Sequence, residues 1–437
     1  MDKNEEDSDA AVKQLQLKDT CRKVEELAEE KFGTSAASIS PLILGGFNIL
    51  YRIRLSQTTP DIMVRLPCPS LVQFPEEKTA QEAATAALIS QNTKLPAPKV
   101  HFYGHDSPVG PASRLSRLTF PRIGSVIEDE KGIYEVARRP ITHNMTDMVR
   151  LANIPRAILP PRHKTYETAD AWYTALAEMH IGQLIFQHND VVNSEDDCRN
   201  KYVARQIFRR LAKQGKLSTF GFQQDSWSAQ SSKILPSTLC PAPPGTHSFQ
   251  LWGDDFRAGN ILLTESDDIA ALIDWEFTYA APTQFILDPP WWLLIEAAEM
   301  WSAGMDDWVN TYGVRLKTWL VALEKAEANT TESSHWPQPL SRYMRESWET
   351  GRFFLSYAAR KSWAFDAMYW KFLDERFFGA RGDDIVKSGL WKTRVHLLND
   401  MEREAMEPFV ERKMEERRIV DWDPKEAKQR YSELLFD

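Results

Sequence analysis

The chain has few of the residues that build metal cages. Its four cysteines, Cys21, Cys68, Cys198 and Cys240, lie far apart, and no CxxC or Cys/His ligand spacing occurs. That argues against zinc and fits a reducing compartment. No histidine pair has ligand spacing either: His180 and His188 are eight residues apart, and core or surface roles are expected for both. G-x-S-x-G is absent, which removes the usual nucleophile elbow. No apolar run is long enough to span a bilayer. The opening MDKNEEDSDA is acidic without an apolar stretch, unlike a signal peptide. The expected location is therefore cytoplasmic, with the sequon at Asn329 unused. Positive charge is also short, with 53 Lys and Arg against 62 Asp and Glu, net −9. Nucleic acid and membrane partners are not expected, and any phosphate site must be a local basic pocket.

What remains is a globular composition, 43% hydrophobic and 26% charged over 437 residues, enough for two lobes or domains. Residues 1–14 read as a disordered acidic tail. LKDTCRKVEELAEEKFG has one apolar face and a glycine stop at Gly33, which predicts a helix. SPLILGG, NILYRIRL and DIMVRLP read as strands, and EEKTAQEAATAALISQN as a helix. LPAPKVHFYG and SRLSRLTFPRIG return the chain to strands. After Gly124 the pattern becomes mostly helical, including YETADAWYTALAEMHIGQLIFQ and EDDCRNKYVARQIFRRLAKQG. The basic residues of the latter are expected to form a solvated face. Its later aromatics, Trp291 and Trp292 among them, are expected mainly in the core.

The stretch LWGDDFRAGNILLTESDDIAALIDWEF, residues 251–277, is dense in carboxylates. Its middle reads as a hairpin: strand ILL, turn TESDD, strand IAALI. Antiparallel pairing then puts Asn260, just before the first strand, beside Asp274, just after the second. Asp255 lies in the preceding loop, while Glu265, Asp267 and Asp268 fall at the exposed far end. Two acids and an amide at one point repel unless a cation joins them. A hard divalent ion prefers oxygen ligands, and magnesium keeps waters, so one Asp and one Asn suffice when a substrate phosphate completes the shell. Asp255 and Asn260 form D-x-x-x-x-N, the layout of a kinase catalytic loop followed by a metal-binding Asp.

These residues resemble the aminoglycoside phosphotransferase/choline kinase group. WGDDFRAGNILL…ALIDWEF carries the likeness, with RLPCPS, LPAPKVHFYG, FPRIGSVIED, NSEDDCRNKY, FILDPPWWLLI and RKSWAFDAMYW pointing to its fungal branch, over about residues 40–380. The resemblance implies an α+β, bilobal protein-kinase-like fold, with a small β-rich N-lobe at 15–122 and a larger, mainly helical C-lobe at 123–437. It implies Asp255 as the catalytic residue, with Asn260 and Asp274 holding Mg2+. The family's His stands two residues before that Asp, where this chain has Gly253.

For the nucleotide, Gly45, Gly46, Phe47 and Asn48 form a turn whose backbone N–H groups can approach phosphate, or merely a tight hairpin turn. Arg65 stands where the family has a phosphate-touching lysine, and Glu82 matches its ion-pair partner. LTFPRIG resembles the hinge, which would bring Phe120, Arg122 and Ile123 near the base. Asp288 matches a family aspartate that anchors the catalytic loop, although capping the helix expected near Pro289 is the preferred role. The expected function is ATP- and Mg2+-dependent phosphorylation of a hydroxyl on a small-molecule substrate. The alternative is a non-catalytic nucleotide-binding protein on the same fold. A glycosidase would explain paired acids but not Asn260.

Overall fold

The computed structural model describes residues 10–56, 59–68, 71–103, 107–108, 119–188, 191–329, 336–382, 385–416 and 422–436. Of the acidic tail expected to be disordered at 1–14, residues 1–9 lie outside them and residues 10–14 are helical; half of SRLSRLTFPRIG and residues 330–335 also lie outside the described residues. Helices of eight residues or more are numbered here. The chain divides into two compact units, Met1–Lys78 and Thr79–Asp437.

In the first unit, α1 (Lys18–Phe32) stops at Gly33, whose φ of 66° suits glycine and whose N–H bonds the Glu29 carbonyl. Three antiparallel strands follow in the order β1 (Ala37–Leu44), β2 (Asn48–Arg54), β3 (Ile62–Pro67). Alternation along β2 buries Ile49, Tyr51 and Ile53 against Val24 and Ala28 of α1. Gly45 closes the β1–β2 turn by donating its N–H to the Asn48 carbonyl at 2.8 Å.

Helix α2 (Pro75–Asn92) contains the division. The sequence places the boundary near residue 122. The contacts place it earlier, because the later turns of α2 belong to the second core: Ala86 and Ile89 pack with Leu272 and Trp275. Phe102–Tyr103 is only a two-residue strand. After Gly124, where a mostly helical chain was expected, the chain first makes a hairpin, β4 (Ser125–Glu128) with β5 (Tyr134–Arg138), that the sequence reading did not include. Short strands of mixed polarity give weak periodicity, so this pair is hard to read from the chain alone.

The helices are α3 (His143–Ala152), α4 (Ala169–Phe186), α5 (Glu195–Lys213), α6 (Met305–Asn329), α7 (Leu340–Thr350), α8 (Arg352–Arg360), α9 (Asp400–Glu415) and α10 (Pro424–Ser432). Helix α4 is buried nearly all round, and α5 packs along it. The basic face of α5 is therefore not solvated as expected. Arg205 is buried, bonding the His180 carbonyl and Asp366, and Arg209 is buried beside Glu178. Each charge is tolerated there because an acid lies within reach. Between α5 and α6 lie β6 (Phe249–Gly253), β7 (Ile261–Leu263), β8 (Ile269–Leu272) and β9 (Thr278–Ala281). Most of the expected core aromatics are buried, Trp291, Phe353, Phe354, Tyr357 and Trp370 among them, but Trp363 is exposed. No described helix is long and apolar enough to cross a membrane.

Candidate active site

Strand β6 ends at Gly253, and β9 returns antiparallel to it with Thr278 opposite Gly253. Everything between, residues 254–277, is thus an excursion clamped at both ends. The Asp254 N–H bonds the Phe277 carbonyl at 3.1 Å. Within the excursion, β7 and β8 pair with Ile261 opposite Leu272. The ladder extends one step further, from the Ile273 N–H to the Asn260 carbonyl at 2.9 Å. Asn260 and Asp274 are therefore neighbours at the base of the hairpin. Leu272 and Trp275 anchor that base on α2, and burying one such leucine contributes about 2 kcal/mol. Phe256 stacks on Trp275 with ring centres 5.9 Å apart. The hairpin strands themselves are largely solvent-facing: Leu262, Leu263 and Ile269 are exposed.

Three chemically promising residues, Asp255, Asn260 and Asp274, meet at this base. Asn260 is buried and donates its Nδ2 to the Asp255 carbonyl at 3.0 Å. That fixes the amide and leaves Oδ1 without a donor among the described residues. Asp274 has φ 66°, a left-handed conformation that non-glycine residues seldom adopt. Such strain is held only where the surroundings over-determine it, often at functional sites. The Asp255 carboxylate accepts no hydrogen bond from a described residue. Burial pushes its carboxyl above the ordinary aspartate range, and Asp274 adds to this against His143, Lys361 and Arg257. Among the described residues, no group of three or more His, Cys, Asp or Glu side chains forms a metal cage. Asn260 Oδ1 and the Asp274 carboxylate nevertheless suit magnesium, which takes few protein ligands.

Sequence reasoning missed how the loop is braced. A side chain at 253 would put its Cβ 2.8 Å from the Phe256 Cβ, so the local packing favours glycine. The brace is Asp254 instead, fully buried. Its carboxylate accepts from the His143 N–H at 3.2 Å and from Arg360 Nη1 at 3.2 Å. The Arg360 guanidinium lies 4.7 Å from the Trp252 ring and 5.3 Å from that of Phe285. Burial alone would raise Asp254, but Lys361, Arg360 and His143 hold its carboxyl below the ordinary range. The His143 ring pairs with Asp147 at 2.9 Å and packs edge-on against Phe277. In the sequence the brace shows only as the first acid of GDD, Asp254.

The remaining expected residues are placed as follows. In the first unit, Gly45 and Gly46 are exposed, the Phe47 ring lies 4.5 Å from the buried Lys78 ammonium, Asn48 is buried, and Arg65 sits on β3 opposite Leu50. In the second unit, Glu82 is half-buried on α2. Phe120 is buried and pairs with Phe249. Arg122 is turned to Thr165 and Glu167. Both backbone groups of Ile123 are bonded to Tyr166, at 2.8 and 3.0 Å. Asp288 caps no helix, because the short turn at Trp291–Leu293 starts from Pro290 without a side-chain cap. It is buried and accepts from the Ser347 hydroxyl at 2.5 Å.

No protein-family model matches the chain, and no curated protein matches it. Among solved structures, the chain is similar to a macrolide 2'-phosphotransferase type I at 14% identity, covering 83% of this chain and 96% of that one, with a TM-score of 0.30. At that score neither architecture nor activity is carried over, and the proposed fungal likeness has no counterpart there.

Two outcomes test the site's electrostatics. All 15 tryptophans lie in Thr79–Asp437, so their fluorescence follows the unit holding the site. Asp254→Asn leaves Arg360 buried without its counter-charge and should lower the urea stability of that unit by about 3–5 kcal/mol. Asp254→Leu combined with Arg360→Met should recover much of the loss, and a loss under 1 kcal/mol, on the order of an exposed pair, would refute the brace. Asp255 should behave oppositely. Folding raises its pKa, so the ionised form opposes folding at neutral pH, and that opposition fades as the pH falls through the folded pKa. Asp255→Asn should therefore stabilise the metal-free protein at neutral pH by about 0.5–2 kcal/mol. The gain should vanish below the ordinary aspartate pKa of about 3.9. A destabilised variant at neutral pH would contradict the assignment.

Proposed function

We propose that this protein is an ATP- and magnesium-dependent phosphotransferase acting on a hydroxyl group of a small molecule. The observation that supports the reading is the meeting of Asp255, Asn260 and Asp274 at the base of one hairpin, with the Asp255 carboxylate free of hydrogen-bond donors among the described residues. In this reading Asn260 and Asp274 hold the magnesium ion, which supplies charge neutralisation at the triphosphate when bound. Asp255 accepts a hydrogen bond from the acceptor hydroxyl and takes its proton. The hydroxyl oxygen forms the new bond to the γ-phosphorus as the bond to the β–γ bridging oxygen breaks, and ADP leaves with that electron pair. Catalysis comes from positioning and charge balance rather than from a covalent enzyme intermediate. The raised pKa of Asp255 suits a proton acceptor better than an ordinary aspartate does.

Phosphoryl transfer from radiolabelled ATP to a panel of hydroxylated metabolites tests it. The wild type should need magnesium. Asp255→Ala should lower kcat by about 10²–10⁴-fold while ATP binding is retained. Metal-independent transfer would overturn the reading. ATP binding by the wild type with no transfer to any acceptor would favour the non-catalytic alternative.

A further inference from the structure

Helix α8 ends with two consecutive cations facing two consecutive acids. Arg360 is committed to buried Asp254. Lys361, the next residue, caps α8 through its N–H to the Tyr357 carbonyl at 3.0 Å. Its half-buried ammonium lies 5.3 Å from the Trp291 ring centre. It makes no hydrogen bond or ion pair with a described residue, yet it acts on both Asp254 and Asp255. Its backbone is fixed from the far side. The Ser362 N–H bonds Asn144 Oδ1 at 3.0 Å, Asn144 Nδ2 bonds the Ser362 hydroxyl at 2.9 Å, and His180 Nδ1 meets that hydroxyl at 3.0 Å. Helix α3 thus ties both segments together, His143 to Asp254 and Asn144 to Ser362.

The charges near Asp255 are lopsided. His143, Lys361 and Arg257 are the basic groups acting on it. Asp254 is neutralised by Arg360, and Asp147 is paired with His143 and Arg150. Asp274 is assigned to metal. A polycationic acceptor would be repelled here, and a neutral one would leave the Lys361 ammonium unmatched. One ammonium on an aromatic face suits one negative charge on an apolar body. Phe256 and Trp292, 6.1 Å apart, extend the apolar wall next to Asp255.

We propose that Lys361 is an acceptor-binding residue and that the acceptor is a hydroxyl-bearing aromatic carboxylate, its carboxylate held by Lys361 and its body set against Trp291. The proposal rests on the phosphotransferase reading for what happens to the hydroxyl, but not for the binding itself. The test uses three probes with one hydroxyaryl body: para-hydroxyphenylacetate, its methyl ester and tyramine. Each is titrated against the full chain by tryptophan fluorescence and then offered as acceptor with Mg-ATP. The acid should bind at least about tenfold more tightly than the ester or the amine, the gain expected of one charge-assisted contact. Lys361→Ala should reduce the acid to the level of the ester and raise KM more than it lowers kcat. Lys361→Arg should retain the preference.

Equal or tighter binding of tyramine, an unchanged affinity in Lys361→Ala, or binding by none of the probes would overturn the proposal. Lys361-dependent binding of the acid without phosphorylation would remove the transfer reading and leave this site standing. Phosphorylation of a cationic acceptor would do the reverse.

Discussion

The hydrogen bond from the Ile273 N–H to the Asn260 carbonyl closes the hairpin on which the whole site depends. It brings together two residues, Asn260 and Asp274, that the chain separates by a solvent-facing excursion. The excursion is free to be exposed because its ends are clamped, by Gly253 opposite Thr278 and by Leu272 and Trp275 against α2. The anchored part of the hairpin is therefore its base, where the proposed chemistry is placed. A site supported this way keeps its geometry without needing the strands themselves to be buried.

Two adjacent acids illustrate how environment divides labour. Asp254 has hydrogen bonds, a guanidinium and a fully buried setting, and its carboxyl is held low. Asp255 has burial without a hydrogen-bond donor among the described residues, and its carboxyl is pushed up. The first can only be structural, since its oxygens are bonded to His143 and Arg360. The second keeps the open carboxylate that the proposed reaction uses. Arg360 and Lys361 divide in the same way, one committed to its carboxylate and the other uncommitted.

The hairpin, its exposed turn acids and the meeting of Asn260 with Asp274 were legible in the sequence. They follow from local patterning, in which antiparallel pairing fixes which ends meet. The strands and helix of the first unit were legible for the same reason, since β2 alternates and α1 carries a glycine stop. The brace was not, because Asp254 and Asp255 look alike in one dimension and the Arg360 partner lies 106 residues away. The buried arginines of α5 were misread because periodicity shows which residues share a face but not what covers it. Asp288 looked like a cap from its neighbouring prolines, whereas its partner Ser347 lies 59 residues on.

The most direct test of the convergence at Asn260 and Asp274 is the water proton relaxation of Mn2+ titrated with the protein and ATP. Convergence predicts an enhanced relaxation for the ternary mixture that falls to the value of protein-free Mn-ATP in both Asn260→Ala and Asp274→Ala, with tryptophan fluorescence reporting an intact fold. Undiminished enhancement in both folded variants would place the cation elsewhere and contradict the site.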